Sequence, residues 1–337
     1  LCDTEEEWES VLSALIEKKS ERENIAENAY AYCREHCTTM YTGYPLTQFM
    51  KKWMTPNIAF VLPSLNISGG IMVALKHAAI LQNAGRDVFL LNVDNETAWC
   101  EYDGSKLPVI GQNLKMLEGH IDKAVATMWT TVALLEKYPN IGQRYYLVQN
   151  FETDFYENGN PLRVRANQSY SPKVPVNFIT ISKWCEGWLK EKYGQKARYV
   201  PNGIKKEKFP VRKRKIDGKI RILIEGDCAV EYKNVDESFR IVEKLDKEKF
   251  EIWYMSYNAK PKEWYRVDKF LHQIPYEKVQ EIYSQCDILL KTSYLESFSY
   301  PPLEMMATGG YAVVVPNGGN MEYLVDGENC LLYPHGE

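Results

Sequence analysis

The chain has 337 residues, enough for two ordinary domains that each bury their own core. Hydrophobic residues make up 45% and charged residues 26%, a balance that excludes a disordered chain. A formal charge of −4 argues against general affinity for nucleic acid or acidic lipid, so the basic runs at 205–206 and 212–215 read as a solvated linker.

Eight cysteines without paired spacing point to a reducing compartment rather than a disulfide framework. Cys33, His36 and Cys37 lie close together, but a zinc site needs about four ligands and no second pair is in sight. No secretory leader and no apolar run of about 18 residues is seen, so a cytoplasmic protein is expected.

In chain order, residues 1–54 read as helical and charged. Asp3 or Thr4 can cap a helix whose first turn holds Glu5, Glu6 and Glu7. Trp8, Val11, Leu12 and Leu15 recur at helical spacing, as do Ile25, Ala29 and Tyr32, until Gly43 and Pro45 break the pattern. From Pro56 strands and helices alternate. Strands are expected at 57–62, 87–93, 124–128, 145–148 and 177–181, with helices at 71–83, 130–137 and 183–193. A turn-rich basic stretch follows, and then a second series. It has strands at 220–225, 250–254, 287–291 and 311–315, and helices at 235–246, 276–285 and 302–307. Two separated alternating runs imply two parallel-sheet α/β domains, at 55–204 and 205–337, with ligands beyond the carboxyl ends of the strands.

Four stretches after strands carry candidate chemistry. Ser68, Gly69 and Gly70 open a helix, where bare backbone N–H groups suit a phosphate, although a plain tight turn has the same look. Glu296 and Glu304 flank a loop whose Pro301 and Pro302 suit a helix's first turn; they are ligand contacts, an acid/base pair, or solvated charges. Gly226 with Lys233 offers a point charge for a diphosphate, unless that lysine is simply on the surface. Gln149, Glu152 and Tyr156 mix polar and aromatic groups in a way that fits either a sugar or a capped core. Asp-x-Asp is missing, so a metal bridging a donor diphosphate has no obvious ligands, and the common hydrolase motifs are missing too.

Together these stretches resemble the retaining glycosyltransferases of the GT-B architecture, family 4, over roughly 57–335. The most specific element is ESFSYPPLEMMATGG (296–310), continued by NGGNMEYLVDGENCLL (317–332). AVATMWTT (124–131), YYLVQNFETDFY (145–156) and SYPPLEMMA (299–307) are most similar to rhamnosyltransferases of bacterial surface glycans.

The resemblance implies two Rossmann-like domains facing across a cleft and transfer of a hexose or deoxyhexose, rhamnose from dTDP-rhamnose, without metal or other cofactor. It implies that Gly69, Gly70, Gly226 and Lys233 lie at the donor diphosphate. Glu296, as the catalytic residue, and Ser297, Phe298, Ser299 and Tyr300 hold the sugar, and Glu304 holds the ribose; beside these, Gln149, Glu152 and Tyr156 are expected to contact the acceptor or the sugar. Where many relatives carry an arginine after the glycine at 226, this chain has Asp227 and Cys228.

Residues 4–39 resemble the helical tail that usually closes such enzymes, here at the front, through excision from a tandem protein or through permutation. The expected partners are a nucleotide sugar and a glycan acceptor, with no nucleic acid. A lipid-linked acceptor would bring the protein to the inner face of a membrane, and other domains of a multi-module transferase are further expected partners. A silent sugar-nucleotide or glycan-binding module and a nucleotide-sugar epimerase are the alternatives.

Overall fold

The computed structural model describes residues 4–36, 56–66, 68–92, 98–111, 117, 119–214 and 218–336. The chain divides into two compact units, Leu1–Asn57 and Ile58–Glu337. In the first, helices α1 (Glu5–Glu17) and α2 (Lys19–His36) follow one another. Of the two expected caps Thr4 is the one used: its hydroxyl accepts from Glu7 N at 3.3 Å, and the Glu7 carboxylate accepts from Thr4 N at 3.4 Å. Arg22 closes the far end of α1 by donating to the carbonyls of Leu15 (2.8 Å) and Ile16 (3.1 Å). The expected break at Gly43 and Pro45 lies outside the described residues, as does Cys37.

The second unit holds two sheets. The first is built from β1 (Asn57–Leu62), β2 (Asp87–Asn92), β3 (Trp99–Tyr102), β4 (Ser105–Gly111), β5 (Ile121–Ala126), β6 (Ile141–Val148), β7 (Asn177–Thr180) and β8 (Ala197–Tyr199). Their order across the sheet is β3-β4-β2-β1-β5-β6-β7-β8. The pairs β1–β5, β2–β4, β5–β6, β6–β7 and β7–β8 run parallel, whereas β3–β4 is an antiparallel hairpin that turns at Asp103 and Gly104, both at positive φ. Helices α3 (Gly69–Asn83), α4 (Trp129–Lys137), α5 (Pro161–Gln168) and α6 (Lys183–Tyr193) connect the parallel strands. Helix cover on a parallel sheet demands continuous apolar strands, and β1 answers with Ile58 to Leu62 all buried.

The second sheet has the order β11-β10-β9-β12-β13-β14 and is parallel throughout. Its strands are β9 (Ile220–Glu225), β10 (Phe250–Ser256), β11 (Lys269–His272), β12 (Ile288–Lys291), β13 (Tyr311–Val314) and β14 (Leu331–Leu332). Helices α7 (Val235–Val242), α8 (Tyr276–Gln285) and α9 (Tyr300–Ala307) lie between them. In both sheets the first strand sits inside and the order reverses beside it, at β1/β5 and at β9/β12. A crevice opens beyond the carboxyl ends of strands at such a switch point.

The expected elements are all present within the described residues, with shifted ends. Helix α3 begins at Gly69 rather than at 71, because Ser68 caps it by accepting from Ile71 N at 3.4 Å. Helix α7 stops at Val242 rather than at 246, and its next three residues form turns. The hairpin β3–β4, the edge strands β8, β11 and β14, and helix α5 were not expected.

The two sheets are joined by specific contacts. Glu322, after β13, accepts from the backbone N–H groups of Lys183 and Trp184 (3.3 Å for the latter) at the start of α6, and from Tyr199 hydroxyl at 3.0 Å. Lys205 and Lys208 of the linker both pair with Asp103 in the hairpin turn, so this basic stretch is tied down rather than merely solvated.

Candidate functional site

A cavity of about 290 Å³ lies between the two sheets. The first sheet's side contributes Gly69 and Lys76 from α3 together with Tyr102; the second contributes Glu225, Ser256, Tyr276, Tyr283, Tyr300 and Glu304. At its floor Glu304 is only 3% exposed and its Oε1 accepts from Tyr276 hydroxyl at 3.2 Å. Burial pushes this carboxyl up to about 7, against the hydrogen bonds from Tyr276 and Tyr283 that favour its charge. Proline at the first turn of α9 lets the loop run straight into a helix that carries Glu304 inward.

Beside the cavity, at the β9/β12 switch point, four charged side chains form a chain. Lys233 Nζ lies 2.8 Å from Glu296 Oε1, and Lys291 Nζ lies 3.6 Å from the same oxygen. Lys291 also reaches Glu225 Oε2 at 2.5 Å and donates to the Glu225 carbonyl at 3.3 Å. Burial alone would raise the Glu296 carboxyl, but Lys233 and Lys291 outweigh it and hold the group below its ordinary range. Burial likewise works against the Lys233 ammonium, yet Glu296 and Glu225 leave its pKa raised.

Gly226 follows Glu225 at φ +142°, where a side chain is strained by the backbone, and a Cβ there would press against Val235 Cγ2 at 3.2 Å. Asp227 turns away, accepting from Ala229 N at 2.9 Å.

The stretch between the two glutamates is pinned from behind. Gly319 N donates to the Glu296 carbonyl at 2.9 Å, and Asn317 and Asn320 exchange backbone-to-amide hydrogen bonds at 2.9 and 3.1 Å. Asn317 also donates to the Ser293 carbonyl at 3.0 Å. Ser299 stands at φ +63° with its hydroxyl buried and without a partner among the described residues.

Not every expected site residue faces the cavity. Gly69 and Tyr300 line it, but Gly70 is turned to Gln149, whose amide donates to the Gly70 carbonyl (3.1 Å) and to that of Thr127 (3.2 Å). Phe298, 6% exposed, packs into the core of the first sheet instead of presenting its ring to a ligand. Gln149, Glu152 and Tyr156, expected to contact the acceptor or the sugar, do not line the cavity either. Glu152 is buried beneath α4, accepting from Trp129 N at 2.7 Å and Tyr146 hydroxyl at 3.1 Å, and Tyr156 hydroxyl accepts from Trp129 Nε1 at 3.1 Å. The physical reason is α4: its first N–H groups need an acceptor, and a carboxylate placed after β6 supplies it.

Burial pushes the Glu152 carboxyl up to about 7 despite those two bonds. The folded state therefore holds a proton that the unfolded chain releases near pH 4.5. This contribution to stability is full below that pH and is lost as pH rises through about 7, amounting to roughly 3 kcal/mol. Glu152→Gln keeps an acceptor for Trp129 N–H without the charge. Urea midpoints between pH 5 and 8 are expected to fall less for the variant than for the wild type. Equal slopes would refute this account of Glu152.

Lys291 and Glu225 were missed as site residues. The available signal was a charged residue ending an otherwise apolar strand, in ILLK and in ILIE, where parallel strands deliver functional groups.

Two parallel sheets joined in this way, with switch points on one cavity, define the GT-B fold of glycosyltransferases. Sucrose-phosphate synthase from Thermosynechococcus elongatus matches with a TM-score of 0.67 at 14% identity, and Anabaena HepE in complex with UDP-glucose with 0.66 at 16%. WaaG, a glycosyltransferase involved in lipopolysaccharide biosynthesis, matches with 0.63 at 15%. Each of the three matches covers 83% of this chain and 86% of the other.

Residues 266–337 match the family model for glycosyl transferases group 1. The O-antigen biosynthesis protein RfbC of Myxococcus xanthus is 28% identical over 217 residues, which make up 63% of this chain and 17% of that protein's length. Among the described residues no helix is long and apolar enough to cross a membrane.

Proposed function

We propose that this chain is a retaining glycosyltransferase that moves a hexose or deoxyhexose from a nucleotide sugar to a growing surface glycan. The observation that carries this reading is the pairing of Lys233 and Lys291 with Glu225 and Glu296 at the β9/β12 switch point, next to a cavity floored by Glu304. A nucleoside fits the cavity, with its ribose hydroxyls donating to Glu304. The diphosphate lies toward Lys233 and the helix start at Gly69, and Glu296 accepts from the sugar hydroxyls. Lys233 stabilises the charge that grows on the leaving diphosphate, a preorganised electrostatic role. A leaving phosphate oxygen takes the proton of the acceptor hydroxyl.

Two comparisons support the donor class and the pathway. HepE, of like fold, was solved with UDP-glucose, and RfbC is named for O-antigen biosynthesis. Rhamnose from dTDP-rhamnose is the donor we favour, from the likeness of 124–131, 145–156 and 299–307 to rhamnosyltransferases. We further propose that the ammonium groups serve in place of a metal, and that the acceptor is held at the first sheet's side of the cleft, in the cytoplasm or at the inner membrane face.

The test is thermal stabilisation by dTDP, UDP, GDP and their sugars, with and without EDTA. A ligand at a hundred times its Kd stabilises by about 2.7 kcal/mol, so weak donors register. A selective shift that survives EDTA is the expected result. No shift with any nucleotide would make a silent module the better description.

A further inference from the structure

The expected diphosphate site has a gap in its charge, because Asp227 stands where a base is usual and is turned into its own loop. The buried cation nearby is Lys291, whose side chain is 1% exposed. An ammonium so enclosed costs several kcal/mol unless paired, and an apolar side chain of similar volume would serve stability at least as well. Its presence calls for a role in the site.

The geometry supplies one. Glu296 Oε1 is shared by two ammonium groups of different standing. Lys233 sits in a short 3-10 turn before Asn234 at positive φ, and its side chain is partly exposed. Lys291 ends a central strand and is fixed by both the carboxylate and the carbonyl of Glu225. One cation can turn to a ligand and the other cannot.

Resting on the donor-site reading above, we infer that Lys291 is a positioning residue: held by Glu225, it keeps Glu296 anionic and aimed at the sugar while Lys233 engages the diphosphate. Without it, a donor that drew Lys233 away would leave Glu296 buried with no counter-charge. The groups facing Glu296 are Lys233 and Tyr232 from the turn after β9, Lys291 and Ser293 from β12 and its loop, and Tyr323 beyond Gly319, while Glu225 from β9 acts on the two lysines. With Lys291 gone, Lys233 is the one ammonium left in contact with that carboxylate among the described residues.

Calorimetry on the wild type, Lys291→Met and Lys291→Arg compares each nucleoside diphosphate with its sugar (UDP and UDP-glucose, dTDP and dTDP-rhamnose, GDP and GDP-mannose) from pH 6 to 9. The readout is the affinity gained from the sugar. Lys291→Met is expected to lose about tenfold of that gain near pH 6.5, since hydrogen bonds to a charged group are the ones removed. The gain returns as pH rises and Glu296 ionises unaided, and Lys291→Arg restores it at all pH values.

An unchanged gain in Lys291→Met, or an equal loss for sugar and diphosphate that ignores pH, would overturn the inference. Should Lys291→Met fail to fold, Glu225→Gln carries the test. Its amide oxygen and backbone carbonyl still hold Lys291 while the competing negative charge is gone, so the gain is kept or raised, whereas a lowered gain overturns the proposal. A wild type that binds none of the six ligands refutes the donor site itself, an outcome distinct from these.

Discussion

Replacing Glu304 with alanine is expected to weaken nucleoside diphosphate binding about a hundredfold, from loss of two hydrogen bonds to a charged acceptor at about 1.5 kcal/mol or more each. The carboxylate sits at the cavity floor with its charge opposed by burial, and Tyr276 donates to one of its oxygens. A ribose diol that donates to it stabilises the ionised form, so wild-type affinity should rise with pH through about 7. Inorganic pyrophosphate, which lacks the ribose, should bind the variant as it binds the wild type. Calorimetry with dTDP, UDP and pyrophosphate decides the matter. Equal losses for all three would mean that Glu304 supports the site without touching the ribose.

The second large effect is expected from Gly319→Ala. At φ −87° and ψ −34° this glycine has a backbone that any residue adopts, so conformational strain is not the issue. Space is. A Cβ would lie 2.0 Å from Ser297 C and 2.3 Å from Phe298 N, and backbone atoms cannot rotate aside as a side chain does. The loop that carries Glu296 must move, because Gly319 N also holds the Glu296 carbonyl. We expect a loss of about 3 kcal/mol in stability from overpacking, and a fall in sugar transfer of about a hundredfold. Gly187→Ala in α6 is the control: nothing lies within 4 Å of its Cβ position, and a helical Gly→Ala change should stabilise by about 0.5–1 kcal/mol. Urea unfolding and transfer rates measure both. Normal transfer by Gly319→Ala would show that the pinned loop does not set the position of Glu296.

Much of this architecture is legible from residue pattern alone, and the exceptions have physical causes. Strands such as NIAFVL and IRILIE announce themselves because a parallel strand covered by helices is apolar along its length. Edge strands are not so constrained, so KFLH and ARY pass unnoticed. The hairpin at 99–111 did carry a signal, Asp103-Gly104 between two short runs, but Pro108 and the charged residues around it masked the alternation.

At the site, Glu296, Lys233 and Glu304 lie where a motif after a strand should put them. Lys291 could not be read that way, since its significance lies in Glu225, sixty-six residues earlier in the chain and brought near by strand pairing. Glu152 misleads for the converse reason. A polar group after a strand looks the same in sequence whether it faces a ligand or completes a buried helix end, and the partner that decides, Trp129 N, is a backbone atom.

The contact made by Glu322 gives the fold a mechanical property. Its carboxylate, belonging to the second sheet, completes the amino end of a helix belonging to the first, while Trp184 of that helix lies so close to Gly318 that a Cβ would sit 2.4 Å from the indole. Drawing the sheets apart would therefore leave the N–H groups of Lys183 and Trp184 without their carboxylate, at a cost of about 1 kcal/mol, while Ser182 still caps the helix through Cys185 N. The two sheets are thus held together by a contact built from secondary structure, set in part by one acidic side chain outside the lining of the cavity.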